Sequence, residues 1–491
     1  MNGCYDFFIL GNIIMAFKIL SATFLQNGNE EFTLDFNERM CKEDNPIFSL
    51  LIGENGVGKS QILNAIAEFL FYVWTSETRY SMVRRKNYIF CTQLIYMLDG
   101  KRCKLCWNNS RQTTLVVDGD KSLIIPDLLP MVVTSSFSIC DKFKVIRSQD
   151  RLDIPYYKYV GAKVNGNMIS PTSILFTLLS NIAFASGQQL IKINKAINNV
   201  GYELALSFKF SLHTSKDKIY IDDLINEIEF RAREDSYFGK KFAQLTEKEK
   251  SILYDFYSKV KDDKNTISLD LDFTTLDDLQ EKQQTLFALY KLRQLTVINL
   301  SLVAFRTKAK EWLSCMGMSS GEFNMLATLI GIASVAGKNV LALMDEVEIS
   351  QHPSWQMSVI DYLDSCLRGL SCHLVIATHS HFLVSDLPTD RSDVLHLYKN
   401  ERGNISCNRI EQHTYGWSAE EVLLKVFNVP TTRNRYLAGI VGELMNRISN
   451  DSVEIEEVKE KVAYLKSVVV NLSEIDPMKK IIETIVESFG E

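Results

Sequence analysis

The sequence predicts an α/β fold. A parallel or mixed sheet is entered by a phosphate-binding loop and carries an inserted, mainly helical region and a C-terminal helical extension. Three observations carry that expectation. Residues Gly53-Glu54-Asn55-Gly56-Val57-Gly58-Lys59-Ser60 match the pattern G-x-x-x-x-G-K-[ST] at every defined position. The apolar run Ile47 to Ile52 reads as a buried strand entering that loop, and Ile62, Leu63, Ile66, Phe69, Leu70 and Val73 recur at helical spacing after it. Far downstream, Val340 to Met344 and Leu374 to Ala377 are two more short apolar runs, each ending in polar residues at what would be a strand tip.

At the loop, Gly53, Gly56 and Gly58, with Asn55 between them, let backbone N–H groups converge on phosphate oxygens. The helix N-terminus adds partial positive charge there. Lys59 is placed to reach β- and γ-phosphates, and the Ser60 hydroxyl to sit on Mg²⁺. The implied ligands are a nucleoside triphosphate, read as ATP, and Mg²⁺.

A chain of 491 residues exceeds one simple core, so two or three domains are expected. The formal charge of −6 argues against a surface that traps nucleic acid as a whole, although a local basic groove stays open. Arg84-Arg85-Lys86 and the cluster Lys101, Arg102 and Lys104 lack interleaved aromatics and read first as solvated faces. Of ten cysteines only Cys103-x-x-Cys106 has metal-like spacing, and no second pair follows it, so reduced thiols are expected. The apolar stretch Phe7 to Phe17 is too short to span a bilayer and has no basic flank, which leaves an extra strand or leader. A cytoplasmic location without a membrane partner is expected.

The strand Val340–Met344 ends in Asp345-Glu346. Asp345 at that tip can hold the Mg²⁺ shell, and the adjacent Glu346 can take a proton from an attacking water. The strand Leu374–Ala377 ends in Thr378-His379-Ser380, where His379 can contact a γ-phosphate. Between phosphate loop and Asp-Glu strand lies Met318-Ser319-Ser320-Gly321-Glu322 at the start of a helical pattern. Ser319 and Gly321 form either a second anion site or an ordinary cap with Glu322 in the first turn.

In this order the four motifs resemble the ATP-binding-cassette ATPases, most closely the soluble RecF- and SMC-like heads. That resemblance covers roughly residues 15–150 and 310–400. It implies a head-to-tail dimer around two ATP molecules, in which Lys59, Ser60, Asp345 and Glu346 act in cis and Ser319 and Gly321 in trans. It also implies that His379 is a switch histidine and that Glu348 to Pro353 couples the two sites. The expected domains are an N-terminal lobe (1–150), an inserted helical lid (151–310), a C-terminal lobe (311–416) and a helical extension (417–491). No glutamine marks the coupling loop of the first lobe; Ser135 to Phe143, with Asp141, occupies that region.

Inside the insertion, Leu175–Ile197 looks helical, Tyr202–Leu212 and Lys218–Ile221 look like strands, and Thr246–Lys261 and Leu276–Leu295 look helical. Thr246-x-x-Glu249 is a capping-box pattern, and no multi-heptad seam supports a long coiled-coil arm. In the extension, Ser418-x-x-Glu421 opens a helix that Pro430 stops. Ile455, Val458, Val462, Leu465, Val469 and Leu472 form a short seam, and Asp476-Pro477 opens a last helix with Ile481, Ile482, Ile485 and Phe489. That hairpin either packs on its own chain or docks a partner.

A transporter subunit is disfavoured by the large insertion. A chain with its own Toprim nuclease is disfavoured because residues 401–491 carry no Glu plus Asp-x-Asp cluster on strands. Asp345 to Pro353, Ala377 to Ser380 and Trp417 to Glu421 resemble the ATPases of anti-phage systems, best the Septu-type (PtuA) family, which works with an HNH nuclease. This resemblance implies an ATPase that regulates a separate HNH-type nuclease subunit, reaching DNA through the complex. Repair-type ATPases and the ATPases of retron or PARIS-like systems share the same head.

Overall fold

The computed structural model describes residues 17–27, 30–36, 45–75, 89–107, 113–138, 140–145, 156–165, 168–169, 171–212, 245–260, 266–295, 297–335, 337, 339–427, 435–449, 455–470, 472 and 477–488. Outside these fall nearly all of the Phe7–Phe17 stretch, the Arg84-Arg85-Lys86 cluster, the Lys218–Ile221 strand, and Pro430, Asp476 and Phe489. Two compact units divide at Gly416 and Trp417.

In the first unit, seven strands form a central sheet. Their spatial order is Ile405–Arg409, Ser392–Lys399, Ile47–Gly53, Cys372–Ala377, Val340–Asp345, Met131–Ser136 and Tyr157–Gly161. All neighbours run parallel except the Ile405–Arg409 hairpin. The three strands at its centre are buried from end to end, because both faces are covered. Parallel register sets Ala377 level with Asp345 on one side and with Leu51 on the other, so the tips of all three strands gather at one edge.

One face carries the helix Lys59–Thr75, which also packs on a six-stranded antiparallel sheet that includes Lys18–Gln26 and Ile89–Leu98. Ile62, Ile66, Phe69 and Leu70 of the helix share a core with Phe24, Leu94 and Tyr96 on one side and Leu341 and Val375 on the other. Within the antiparallel sheet, Cys103 is buried and Cys106 half-buried; their spacing of three along one strand puts them on opposite faces, so they are no metal pair. The opposite face of the central sheet holds the helix Ser320–Ala333. Its Gly331 lies so close to Tyr157–Gly161 that a Cβ there would sit 2.3 Å from Val160 Cγ1.

The inserted region brings the expected helices and, in addition, a four-stranded antiparallel sheet ordered Ile267–Asp272, Tyr202–Leu212, Ile298–Thr307 and Trp312–Ser314. Arg306 pins three of these strands together, donating to Glu203 at 2.6 Å and Asp272 at 2.7 Å. The stretch expected as one helix over Leu175–Ile197 is two, Pro171–Ala183 and Gly187–Asn199. The break falls at Ser186, whose side chain makes a capping box with Gln189. Thr246 and Glu249 make the same reciprocal bonds where the helix Glu247–Val260 begins.

The second unit contains helices Ala419–Lys425, Arg435–Ser449, Ile455–Val469 and Pro477–Ser488. Leu437, Ile440, Val441 and Leu444 bury themselves against Val458, Val462 and Leu465 and against Ile482 and Ile485. The apolar seam is therefore covered within the unit by a third helix. Among the described residues, no helix is long and apolar enough to cross a membrane.

Candidate functional site

The site begins where the strand Ile47–Gly53 turns into the helix Lys59–Thr75. Gly53 has φ 146°, and a Cβ there would lie 2.2 Å from the Leu397 carbonyl oxygen. Gly56 at 75° and Gly58 at 110° also occupy the left-handed half of backbone space, which L side chains resist. Buried Val57 anchors the loop, while Glu54, Asn55 and Gly56 face outward. The result is an exposed arc of backbone at a helix N-terminus, the geometry of an anion cradle.

Lys59 is buried at the foot of this arc, and its Nζ donates to the carbonyls of Gly53 at 2.8 Å and Glu54 at 3.2 Å. Burial lowers its pKa to about 8, against the pull of Glu346, Asp345 and Glu348, which favour the charged form. Beside it, Ser60 Oγ donates to Asp345 Oδ1 at 3.0 Å, joining motifs 285 positions apart. Burial pushes the Asp345 carboxyl up to about 7; the Ser60 bond opposes this, and the like charges of Glu346, Asp141 and Glu348 add to it.

Glu346 follows at φ 51°, with its N–H donating to the Ala377 carbonyl at 2.9 Å. That turn takes the half-buried Glu346 off the strand line. His379 is exposed at the neighbouring strand tip. Partial burial and the Lys59 charge hold its imidazole below the ordinary value, with Glu346 pulling the other way.

The helix Ser320–Ala333 starts with a full capping box. Ser319 Oγ accepts from Glu322 N–H at 3.2 Å, and Glu322 Oε2 accepts from Ser319 N–H at 2.9 Å. The capping role of Ser319 is thus present, with Ser319 and Ser320 exposed at the helix end. Gly321 is buried against the loop after Glu346: a Cβ would lie 2.4 Å from the Ser350 carbonyl oxygen. Tyr202 of the inserted sheet donates to Glu322 Oε1 at 3.0 Å, tying the insertion to this helix start.

One cluster therefore unites Lys59 and Ser60 at a helix start with Asp345, Glu346 and His379 at two adjacent strand tips. Among the described residues Ser319 bonds to none of these; the hydrogen bonds it makes are those of its own helix start. Two further carboxylates belong to the neighbourhood. Asp141, left without a role by its sequence, is buried and accepts from Tyr159 OH and Phe143 N–H, both at 2.7 Å, and its charge reaches Asp345. Glu348, read from sequence only as the start of a loop, accepts from Thr378 Oγ1 at 2.6 Å and His379 N–H at 2.9 Å. Asp141 follows the strand Met131–Ser136, and the pairing of that strand with the Asp345 strand, which the sequence does not show, brings it near.

The donor set fits a magnesium–nucleotide complex. A hydroxyl and a carboxylate, Ser60 and Asp345, already in contact, are hard oxygen ligands of the kind Mg²⁺ takes. The glycine arc and Lys59 suit the phosphates.

A family model described as an AAA ATPase domain matches residues 28–384, the greater part of the chain. Protein ea59 of Escherichia phage lambda is 27% identical over 119 residues, 24% of this chain and 22% of that protein. The match thus spans less than a quarter of the relative's length. Among solved structures, the SMC head domain from Thermotoga maritima is similar at 9% identity, with 80% of this chain and 100% of that chain covered and a TM-score of 0.37. An SMC head bound to the C-winged helix domain of ScpA is similar at 13% identity, covering 80% and 97%, with a TM-score of 0.34. The recombination mediator protein RecF is similar at 15% identity, covering 80% and 98%, with a TM-score of 0.31.

Proposed function

This chain belongs to the AAA ATPase domain family, and from that premise we propose that it binds Mg²⁺-ATP at the Lys59–Asp345 cluster and hydrolyses it. The observation that carries the reading is the Ser60–Asp345 hydrogen bond, which joins the loop and the acidic strand tip into one site. Gly53, Asn55, Gly56 and Gly58 present the loop backbone to phosphate oxygens, and Lys59 meets the β- and γ-phosphates. Ser60 and Asp345 hold Mg²⁺, which when bound neutralises charge on the phosphate oxygens. Glu346 orients the attacking water and takes its proton, and His379 contacts the γ-phosphate. Replacing Lys59 with Ala removes the cation from this site. ATP affinity should be lost and the thermal rise on adding Mg-ATP should disappear, while the apo protein keeps its fold. Unchanged affinity in calorimetry would remove the nucleotide reading.

The wider role we propose is that of an RecF/SMC-like regulatory ATPase of anti-phage defence. It forms a head-to-tail dimer closed by ATP, with Ser319 and Gly321 of one chain completing the site of the other, and controls a separate HNH-type nuclease that acts on DNA. Support comes from the exposure of Ser319 away from its own chain's cluster and from the Septu-type pattern in Asp345–Pro353, Ala377–Ser380 and Trp417–Glu421. The helical extension is the proposed dock. Its seam is covered internally, so the contact would fall to side chains outside that seam.

A further inference from the structure

Glu348 lies three positions past Asp345, on a loop that leaves the sheet, and only 9% of its surface is exposed. Its Oε1 accepts both the Thr378 hydroxyl and the His379 backbone N–H, while Oε2 has no hydrogen-bond partner among the described residues. A carboxylate buried with one oxygen unsatisfied is costly, and burial raises its pKa accordingly. The bonds on Oε1 are what that cost maintains.

The same two segments are tied a second time. Thr378 Oγ1 accepts from Ser380 N–H at 2.9 Å, and Ser380 Oγ donates to Gln356 Oε1 at 2.8 Å. Gln356 Nε2 donates back to the Gln351 carbonyl at 3.2 Å, and Gln351 Nε2 to the Val347 carbonyl at 2.7 Å. Closed by the chain itself between Val347 and Glu348, this ring of hydrogen bonds joins residues 347–356 to tip 378–380. The outer side of the loop touches the helix start, since Gly321 has room for only a hydrogen against the Ser350 carbonyl.

We propose that Glu348 is a positioning residue: through Oε1 it holds the backbone of His379, and with it the imidazole, in place at the strand tip. This rests on the ATPase reading, in which His379 contacts the γ-phosphate.

The test uses full-length chain carrying Glu348→Ala, Glu348→Gln and His379→Ala. Gln keeps an Oε1 acceptor and Ala does not. Amide hydrogen exchange, read without nucleotide, should be about tenfold faster or more at His379 in Glu348→Ala and near wild type in Glu348→Gln. In ATP turnover, Glu348→Ala should lower kcat with KM little changed, and Glu348→Gln should restore most of it. The double variant Glu348→Ala/His379→Ala should be no slower than His379→Ala alone. Unchanged His379 exchange in Glu348→Ala overturns the proposal, as does a further fall in kcat in the His379→Ala background. Should Glu348→Ala not fold, Thr378→Val removes the hydroxyl that links Glu348 to Ser380. Faster exchange at His379 and Ser380 then supports the ring, and unchanged exchange overturns it. If wild type hydrolyses no ATP, the ATPase reading fails, yet the exchange measurement still decides whether Glu348 holds His379.

Discussion

Asp345 carries opposing demands. It sits 4% exposed among like charges, yet the cation-holding role proposed for it would need it ionised. Its folded pKa, about 7, stands above the ordinary carboxylate value of 3.8. The folded state therefore binds more protons than the unfolded chain between those values, and stability falls as pH rises through that window. Asp345→Asn removes the titration. Without Mg²⁺, the thermal midpoint of the variant relative to wild type should be higher at pH 8 than at pH 4. Equal offsets at both pH values would mean that Asp345 is not held protonated by its surroundings. Lys59 is the converse case, lowered to about 8 by burial. Bound nucleotide would relieve both groups at once, since phosphate favours the charged lysine and Mg²⁺ the charged aspartate.

At the scale of elements, one end of the helix Ser320–Ala333 carries a capping box and, in the proposed dimer, would also face a second chain. As a cap, Ser319→Ala should cost about 1 kcal/mol of stability. As a site for a second chain, Ser319 should matter to turnover beyond that cost. Mixing Lys59→Ala chains with Ser319→Arg chains rebuilds one intact site per mixed dimer, so partial ATPase activity should return. No recovery in proven mixed dimers would reduce Ser319 to its cap or require both sites to fire together. The strands and helices themselves were largely legible: Tyr202–Leu212 is a strand over its whole expected length, and Thr246 and Ser418 each accept a bond from the residue three positions on. These signals are local, set by periodicity and capping chemistry. The helix break at Ser186 was missed because apolar spacing continues across it. Glu348 and Asp141 were named only by their loops; the bonds they make were not legible, because their partners, Thr378 and Tyr159, belong to other elements and nothing local marks such contacts.

Over the whole molecule, the insertion separates the phosphate loop from the acidic strand tip without disturbing their pairing, because the parallel sheet sets their register. How the insertion bears on the site was beyond sequence, since it turns on single contacts such as Tyr202 to Glu322. The helical unit Trp417–Glu491 has a core of its own. Ending the chain at Gly416 should therefore leave ATP binding intact and abolish co-purification of an HNH-type nuclease. Retention of the nuclease by the shortened chain would move the dock to residues 151–310. The most direct measurement is steady-state hydrolysis of Mg-ATP by the purified chain and by Glu346→Gln, with ATP affinity read on the same samples. Gln is nearly isosteric with Glu but takes no proton. Turnover should fall by about 10²–10⁴-fold while ATP still binds. A Glu346→Gln chain that hydrolyses ATP at the wild-type rate, or a wild-type chain that binds none, would contradict the assignment of this site.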